Sequence, residues 1–212
     1  MTPDIETLIG RLRGNNIPCV YAATREEALA RVMSMIPEGS VVGFGDSMTL
    51  RQIGVVDALT EGDYTFLDPW APGISVEESM MRKKRALTSD VFVTGTNALT
   101  LDGRIVNTDG HGNRVAALLF GPSKVIIVVG INKIVMDVEA AMRRIRDVAA
   151  PLNVKRHAEF DPPPPCGLTG VCSDCDSPWR ICNKTAIIER QYDNEKYGPV
   201  ITVVIVGEQL GI

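Results

Sequence analysis

The sequence predicts an α/β fold, a Rossmann-like and mostly parallel sheet flanked by helices, on three observations. Capped amphipathic segments alternate with short apolar runs. Lys124 to Val129 is continuously apolar in the way of a strand covered on both faces. The chain turns polar where the strands end, at Gly45-Asp46-Ser47, Thr94 to Asn97 and Gly130 to Lys133. In open α/β sheets ligands gather at those carboxyl ends.

Taken in order, residues 4–13 place Ile5, Leu8, Ile9 and Leu12 on one helical face, and Gly14-Asn15-Asn16 stops that helix. Pro18 to Ala23 reads as a strand. Thr24 and Glu27 form a capping box, opening a helix with Ala28, Leu29, Val32 and Ile36 on one face, ended by Pro37-Glu38-Gly39. Val41 to Gly45 is a buried strand running into Asp46-Ser47-Met48-Thr49 and a helix bearing Leu50, Ile53, Val56 and Leu59. Glycines at a strand end followed by Ser47 and Thr49 put free N–H groups beside hydroxyls, which suits an anion, although a Gly-rich turn without a ligand has the same composition. The third glycine of a dinucleotide fingerprint and the lysine of a Walker loop are both missing.

Tyr64 to Leu67 is a strand, Asp68 to Gly73 a turn, and Ser75 with Glu78 caps a helix reaching about Leu87. Glu77 and Glu78 complement that helix's N-terminus or reach toward a site. Asp90 to Thr94 is a strand leading into the densest polar stretch, Asn97 to Arg114. There Asp102-Gly103 between two β-prone runs predicts a type I′ hairpin. Asn97, Thr100, Asn107, Asn113 and Arg114 are candidate ligand-binding residues together with Gly45, Asp46, Ser47, Thr49 and Lys133. His111 and Asp109 are the candidates for proton transfer. Val115 to Phe120 reads as core, and a helix from about Asp137 to Ala150 is closed by Pro151. Val200 to Val206 is the last strand. All of this forms one domain, residues 1–212, with a Cys-rich insertion at 161–185.

The 212 residues carry 22 basic and 26 acidic side chains, net −4, which gives no electrostatic case for nucleic acid. Arg82 to Arg85 is the one basic cluster and fits a solvated helix face. No apolar run approaches the roughly 20 residues that span a bilayer, and no basic-then-apolar leader opens the chain, so a cytoplasmic location is expected.

Four of the five cysteines, Cys166, Cys172, Cys175 and Cys182, fall within seventeen residues behind the stiff run Pro162 to Pro165. The spacing C-x5-C-x2-C-x6-C is suited to one metal centre. A [4Fe–4S] cluster and a tetrahedral zinc both take four thiolates; a single C-x2-C pair with one outlying cysteine on each side favours the cluster.

Residues 43–54 (GFGDSMTLRQIG), 94–122 and 129–141 (VGINKIVMDVEAA) resemble the signature blocks of the LUD-domain family, the lactate-utilisation proteins of the LutC/YkgG type. The resemblance spans about residues 5 to 150 and resumes in the terminal strand. It implies a NagB/RpiA/CoA-transferase-like fold, whose superfamily binds sugar phosphates or acyl-CoA, and a role in oxidising L-lactate beside iron–sulfur partner subunits. Taken with the candidate residues above, the expectation is a small anionic metabolite as ligand, redox metabolism of lactate or another hydroxy acid, and iron–sulfur or flavin subunits as partners. A homodimer is compatible with it. The cysteine segment resembles a subgroup carrying a metal-binding insertion. Other readings compatible with the sequence are an electron-relay or regulatory subunit, and a sugar-phosphate or CoA-ester enzyme with a structural zinc.

Overall fold

The computed structural model describes residues 3–157 and 160–212. The elements run α1 (Pro3–Gly14), β1 (Cys19–Ala22), α2 (Arg25–Met33), β2 (Val41–Phe44), α3 (Met48–Gln52), α4 (Val55–Glu61), β3 (Thr65–Leu67) and α5 (Val76–Arg85). They continue β4 (Val91–Gly95), β5 (Ala98–Thr100), β6 (Ile105–Asp109), α6 (Asn113–Leu119), β7 (Lys124–Gly130), β8 (Ile134–Val135), α7 (Val138–Arg144), α8 (Ala150–Arg156), α9 (Pro165–Thr169), β9 (Lys184–Ile188) and β10 (Ile201–Val206). Among the described residues no helix is long and apolar enough to cross a membrane.

The main sheet has the order β1-β10-β7-β4-β2-β3 with every pair parallel. Its central strand β7 is apolar on both faces because both are covered. Val125, Ile127 and Val129 face the core of α1 and α6, while Ile126 and Val128 face that of α2, α3 and α4. Strand order reverses between β2 and β4, since β2 leads outward to β3 and β4 leads back to β7. A crevice therefore opens beyond their carboxyl ends, where neighbouring loops depart in opposite directions.

A second sheet, β8-β5-β6-β9, stands beside this crevice. The β5–β6 hairpin forms over Asp102-Gly103 as expected, but not as a type I′ turn. Gly103 donates to Thr100 O and Thr100 donates to Arg104 O, and only Gly103 has positive φ (85°). This is a type I turn closed by a glycine bulge, which lets Asp102 keep ordinary φ. The cysteine segment precedes β9 as well as the last strand, because Lys184–Ile188 pairs antiparallel with β6. Residues 115–119 form most of α6 and Phe120 follows it in extended backbone, rather than a uniform core run: Val115, Ala117 and Leu118 are buried, whereas Phe120 is 90% exposed.

Pro151 does not end the helix begun at Asp137. A π-helical turn over Ile145–Ala149 shifts the hydrogen-bond ladder, and α8 restarts with Pro151 in its first turn, where a missing N–H costs nothing. The helix thus reaches Arg156, two turns further than its sequence suggests.

Candidate functional site

A cavity of about 430 Å³ occupies the crevice. Its floor is the two strand ends. Gly45 and Gly95 are required by close packing: a Cβ on Gly45 would lie 2.5 Å from Thr94 Oγ1, and one on Gly95 would lie 2.6 Å from Ser47 Oγ. Ser47 lines the cavity, and its hydroxyl also caps α3 by accepting from Leu50 N. Asp46, at φ 38°, turns its carboxylate to Arg156 in an ion pair, with Arg51 at 3.7 Å and His157 Nε2 at 3.9 Å. Its charge is thereby offset before any anion enters.

The hairpin supplies the next wall through a set of reciprocal bonds. Asn107 Oδ1 accepts from Asn97 N, and Asn97 Oδ1 accepts from Thr108 N and from Arg114. Asp109 accepts from Arg114 Nε at 2.9 Å and from Val115 N at 2.7 Å, which fixes the start of α6. The Asp109 and Arg114 side chains are only 7% and 14% exposed. Arg114 also donates to Thr108 O. His111 stands exposed on the cavity rim, its pKa lowered from the usual imidazole value by burial, Lys83 and Lys184, against the opposing pull of Asp109.

Lys133 reaches the cavity from the end of β7 and is 4% exposed. Its ammonium donates to Thr49 Oγ1 at 3.0 Å. Among the described residues no carboxylate lies within ion-pair distance of it; burial first, then Arg144 and Arg114, lowers its pKa to about 7. Arg144 spends its donors on backbone carbonyls, Asn97 O at 2.6 Å and Asn132 O at 3.2 Å, and burial lowers its pKa too. Lys133 thus lies within the fields of Arg144 and Arg114, and of the three cations Arg114 alone is paired, with Asp109. Such an arrangement favours an anion.

The structure gathers most of the predicted residues here. Gly45, Asp46, Ser47, Asn97, Asp109, His111, Asn113, Arg114 and Lys133 all line the cavity. Three do not. Thr49 is buried behind Lys133, Thr100 bonds within its own turn to Asp102 and Arg104, and Asn107 braces Asn97 with its Nδ2 left without a partner. Sequence reasoning did not reach Asn153, Arg156 and His157, carried into the site by the prolonged helix, or Trp179 and Arg180 from the cysteine segment. His157, Phe160 and Trp179 form a tilted aromatic row with centroids 5.4 and 5.7 Å apart.

Cys166 opens α9, and Cys172, Cys175 and Cys182 follow on irregular backbone. All four thiols are free and partly accessible. Burial pushes the Cys166 thiol up, and the charges of Cys175, Cys182 and Cys172 add to the push. Arg180 ties the segment together by donating to Cys175 O at 2.7 Å, and Cys182 lines the cavity itself. Among the described residues no three His, Cys, Asp or Glu side chains are gathered closely enough to hold a metal ion.

The LUD domain family model matches residues 5–206. The chain belongs to the LUD domain family. The fold of this LUD domain is similar to the crystal structure of a DUF162 family protein from Deinococcus radiodurans, with a TM-score of 0.51 at 16% identity over 96% of this chain and 95% of that one. No curated protein matches the chain.

Proposed function

We propose that this LUD domain binds a small organic anion, a hydroxy acid such as lactate or the corresponding 2-oxo acid, and serves its redox metabolism with a four-cysteine metal centre beside the pocket. The observation that carries the reading is the cationic focus: Lys133 and Arg114 line a cavity at the switch point of the sheet with Arg144 close to Lys133, and Asp109 pairs with Arg114 alone. A carboxylate entering there offsets part of that uncompensated positive charge. Asp46 does not oppose it, being held by Arg156 and Arg51.

Asp109 is committed to Arg114 and Val115 N, so its role is to position the guanidinium. Proton transfer from a ligand hydroxyl falls to His111, whose lowered pKa leaves a neutral imidazole at pH 7. Phe160 and Trp179 wall the cavity toward solvent and favour a short apolar chain on the ligand.

The donor set at Cys166, Cys172, Cys175 and Cys182 suits a metal, since a cation between the thiolates would offset both the burial that chiefly raises Cys166 and the repulsion from the other three that adds to it. These residues would have to close up on binding it. Bound there, a [4Fe–4S] cluster would supply one-electron chemistry, and zinc would clip the loop. Cys182 and Arg180 border both regions, which supports a metal centre and pocket acting together.

Oxygen-free purification with iron, sulfide and zinc analysis tests the centre. About four irons per chain support the redox reading; one zinc turns it toward a sugar-phosphate or CoA-ester enzyme with a structural clip. Calorimetric titration with L-lactate, ribose 5-phosphate and acetyl-CoA tests the pocket. Binding of lactate that is lost in Arg114→Met is expected, and equal heats from both proteins refute the site.

A further inference from the structure

We infer that Lys133 is an imine-forming lysine, whose Nζ condenses with the carbonyl of a 2-oxo acid held in the cavity. The inference rests on the anion-pocket reading and narrows its ligand to a carboxylate with an adjacent carbonyl. Three placements carry it. Lys133, just beyond the carboxyl end of the central strand, lines the cavity and is almost fully buried. Among the described residues its hydrogen-bond partner is the neutral hydroxyl of Thr49, and no carboxylate pairs with it. The C-terminal tail closes over it: a Cβ on Gly211 would fall 2.8 Å from Nζ and 2.3 Å from Thr49 Oγ1.

A lysine kept only to hold an anion gains from a full charge and a carboxylate to orient it. A lysine desolvated beside other cations is instead suited to nucleophilic attack. Here Arg114 and Arg144 are those cations, with Asp109 facing Arg114 and Asp46 facing Arg156. A pKa near 7 is in keeping with this, giving on the order of a hundredfold or more neutral amine than an ordinary lysine of pKa about 10.4.

The step balances without a co-reactant. The ammonium gives up one proton, and Nζ attacks the carbonyl carbon, forming a C–N bond as the C=O π bond breaks. The oxygen takes that proton and a second one from nitrogen and leaves as water. The nitrogen keeps its last proton, as a cationic iminium. Thr49 Oγ1 holds Nζ on one side, and Arg114 attracts the carboxylate that places the carbonyl.

The test is to incubate the full chain at neutral pH with pyruvate and sodium cyanoborohydride, then measure intact mass and map the labelled peptide. One reduced pyruvate per chain is expected on Lys133, in at least about tenfold excess over exposed lysines such as Lys155. Excess L-lactate, which has no carbonyl, should suppress it. Absence of the Lys133 adduct, or the same label spread over surface lysines in wild type and Lys133→Met, overturns the inference. The wild-type map decides even where Lys133→Met fails to fold. Lactate binding without an adduct removes the imine and leaves the anion pocket standing; loss of both removes the pocket as well.

Discussion

Replacing Asp109 by alanine should separate stability from ligand affinity and move them in opposite directions. The carboxylate makes two charge-assisted bonds, to Arg114 Nε at 2.9 Å and Val115 N at 2.7 Å, in a pair whose side chains are 7% and 14% exposed. Each such bond contributes about 1.5–3 kcal/mol, and removing one partner of a buried pair costs about 3–5 kcal/mol, so about 4 kcal/mol is expected. For a domain of this size that lowers the melting temperature by about 8–16 °C, a large share of a total stability of about 5–15 kcal/mol. Asp109→Asn keeps an acceptor for Val115 N and should lose about half as much. Adding Arg114→Met to Asp109→Ala removes the stranded charge and should restore about 1–2 kcal/mol. Urea unfolding of the four proteins measures these differences. The cavity meanwhile gains one net positive charge while Arg114 keeps its bonds to Asn97 Oδ1 and Thr108 O, so lactate affinity in Asp109→Ala should rise. A stability loss below about 1 kcal/mol with no coupling to Arg114 would refute the argument.

Lys133→Met should stabilise the protein at neutral pH and flatten its pH dependence. The folded pKa of about 7 lies below the unfolded value, so the unfolded chain binds more protons and wild-type stability rises from about pH 7 toward pH 10; denaturant midpoints across that range check the slope. Gly95→Ala drives a methyl to 2.6 Å from Ser47 Oγ and should cost about 1–3 kcal/mol by thermal unfolding while weakening lactate binding, because Ser47 borders the cavity. Arg156→Ala leaves Asp46 with only the 3.7 Å contact to Arg51 among its arginine partners and should weaken lactate binding at low salt, read by titration calorimetry. His111→Ala, on the exposed rim, should leave the melting temperature within about 1 °C while abolishing any lactate-dependent turnover.

The parts of the molecule that were legible in the sequence are those where burial writes a pattern. Val125 to Val129 could only be a strand covered on both faces, and Gly45, Asn97 and Lys133 followed from the rule that polar residues at strand ends share a crevice. The parts that were not legible depend on backbone events without a residue signature. The π-helical turn at Ile145–Ala149 lets a helix pass Pro151, and only Val154, returning to the apolar face after Ala150, hinted that it did. That one turn decides the electrostatics of the site. Had the helix stopped at Pro151, Asp46 would face the cavity beside Ser47 with Arg51 3.7 Å away as its remaining arginine, and an anion would meet a carboxylate at the mouth. Carried on to Arg156, the helix neutralises Asp46 and brings His157 within 3.9 Å of it. Polar turn residues erred the other way: Thr100 and Asn107 look like ligands in a list of residues, but Thr100 bonds within its own turn and the Asn107 carbonyl oxygen braces Asn97. In β9 the burial pattern is half solvent, so the strand is set by its partner β6 rather than by its own residues. It is this edge strand that follows Cys182 and Asn183 directly. The cysteine segment is therefore held beside the pocket at its end by β9 and at its start by α9 packing on α8, with Gly167 so close to Val154 that a Cβ would lie 2.4 Å from it. A metal drawing the four thiols together would pull on both anchors, and α8 carries Arg156. Metal binding there would in this way be joined mechanically to the charge balance at Asp46, and on that proposal lactate affinity should differ between metal-loaded and metal-free protein but not when Arg156 is replaced by alanine.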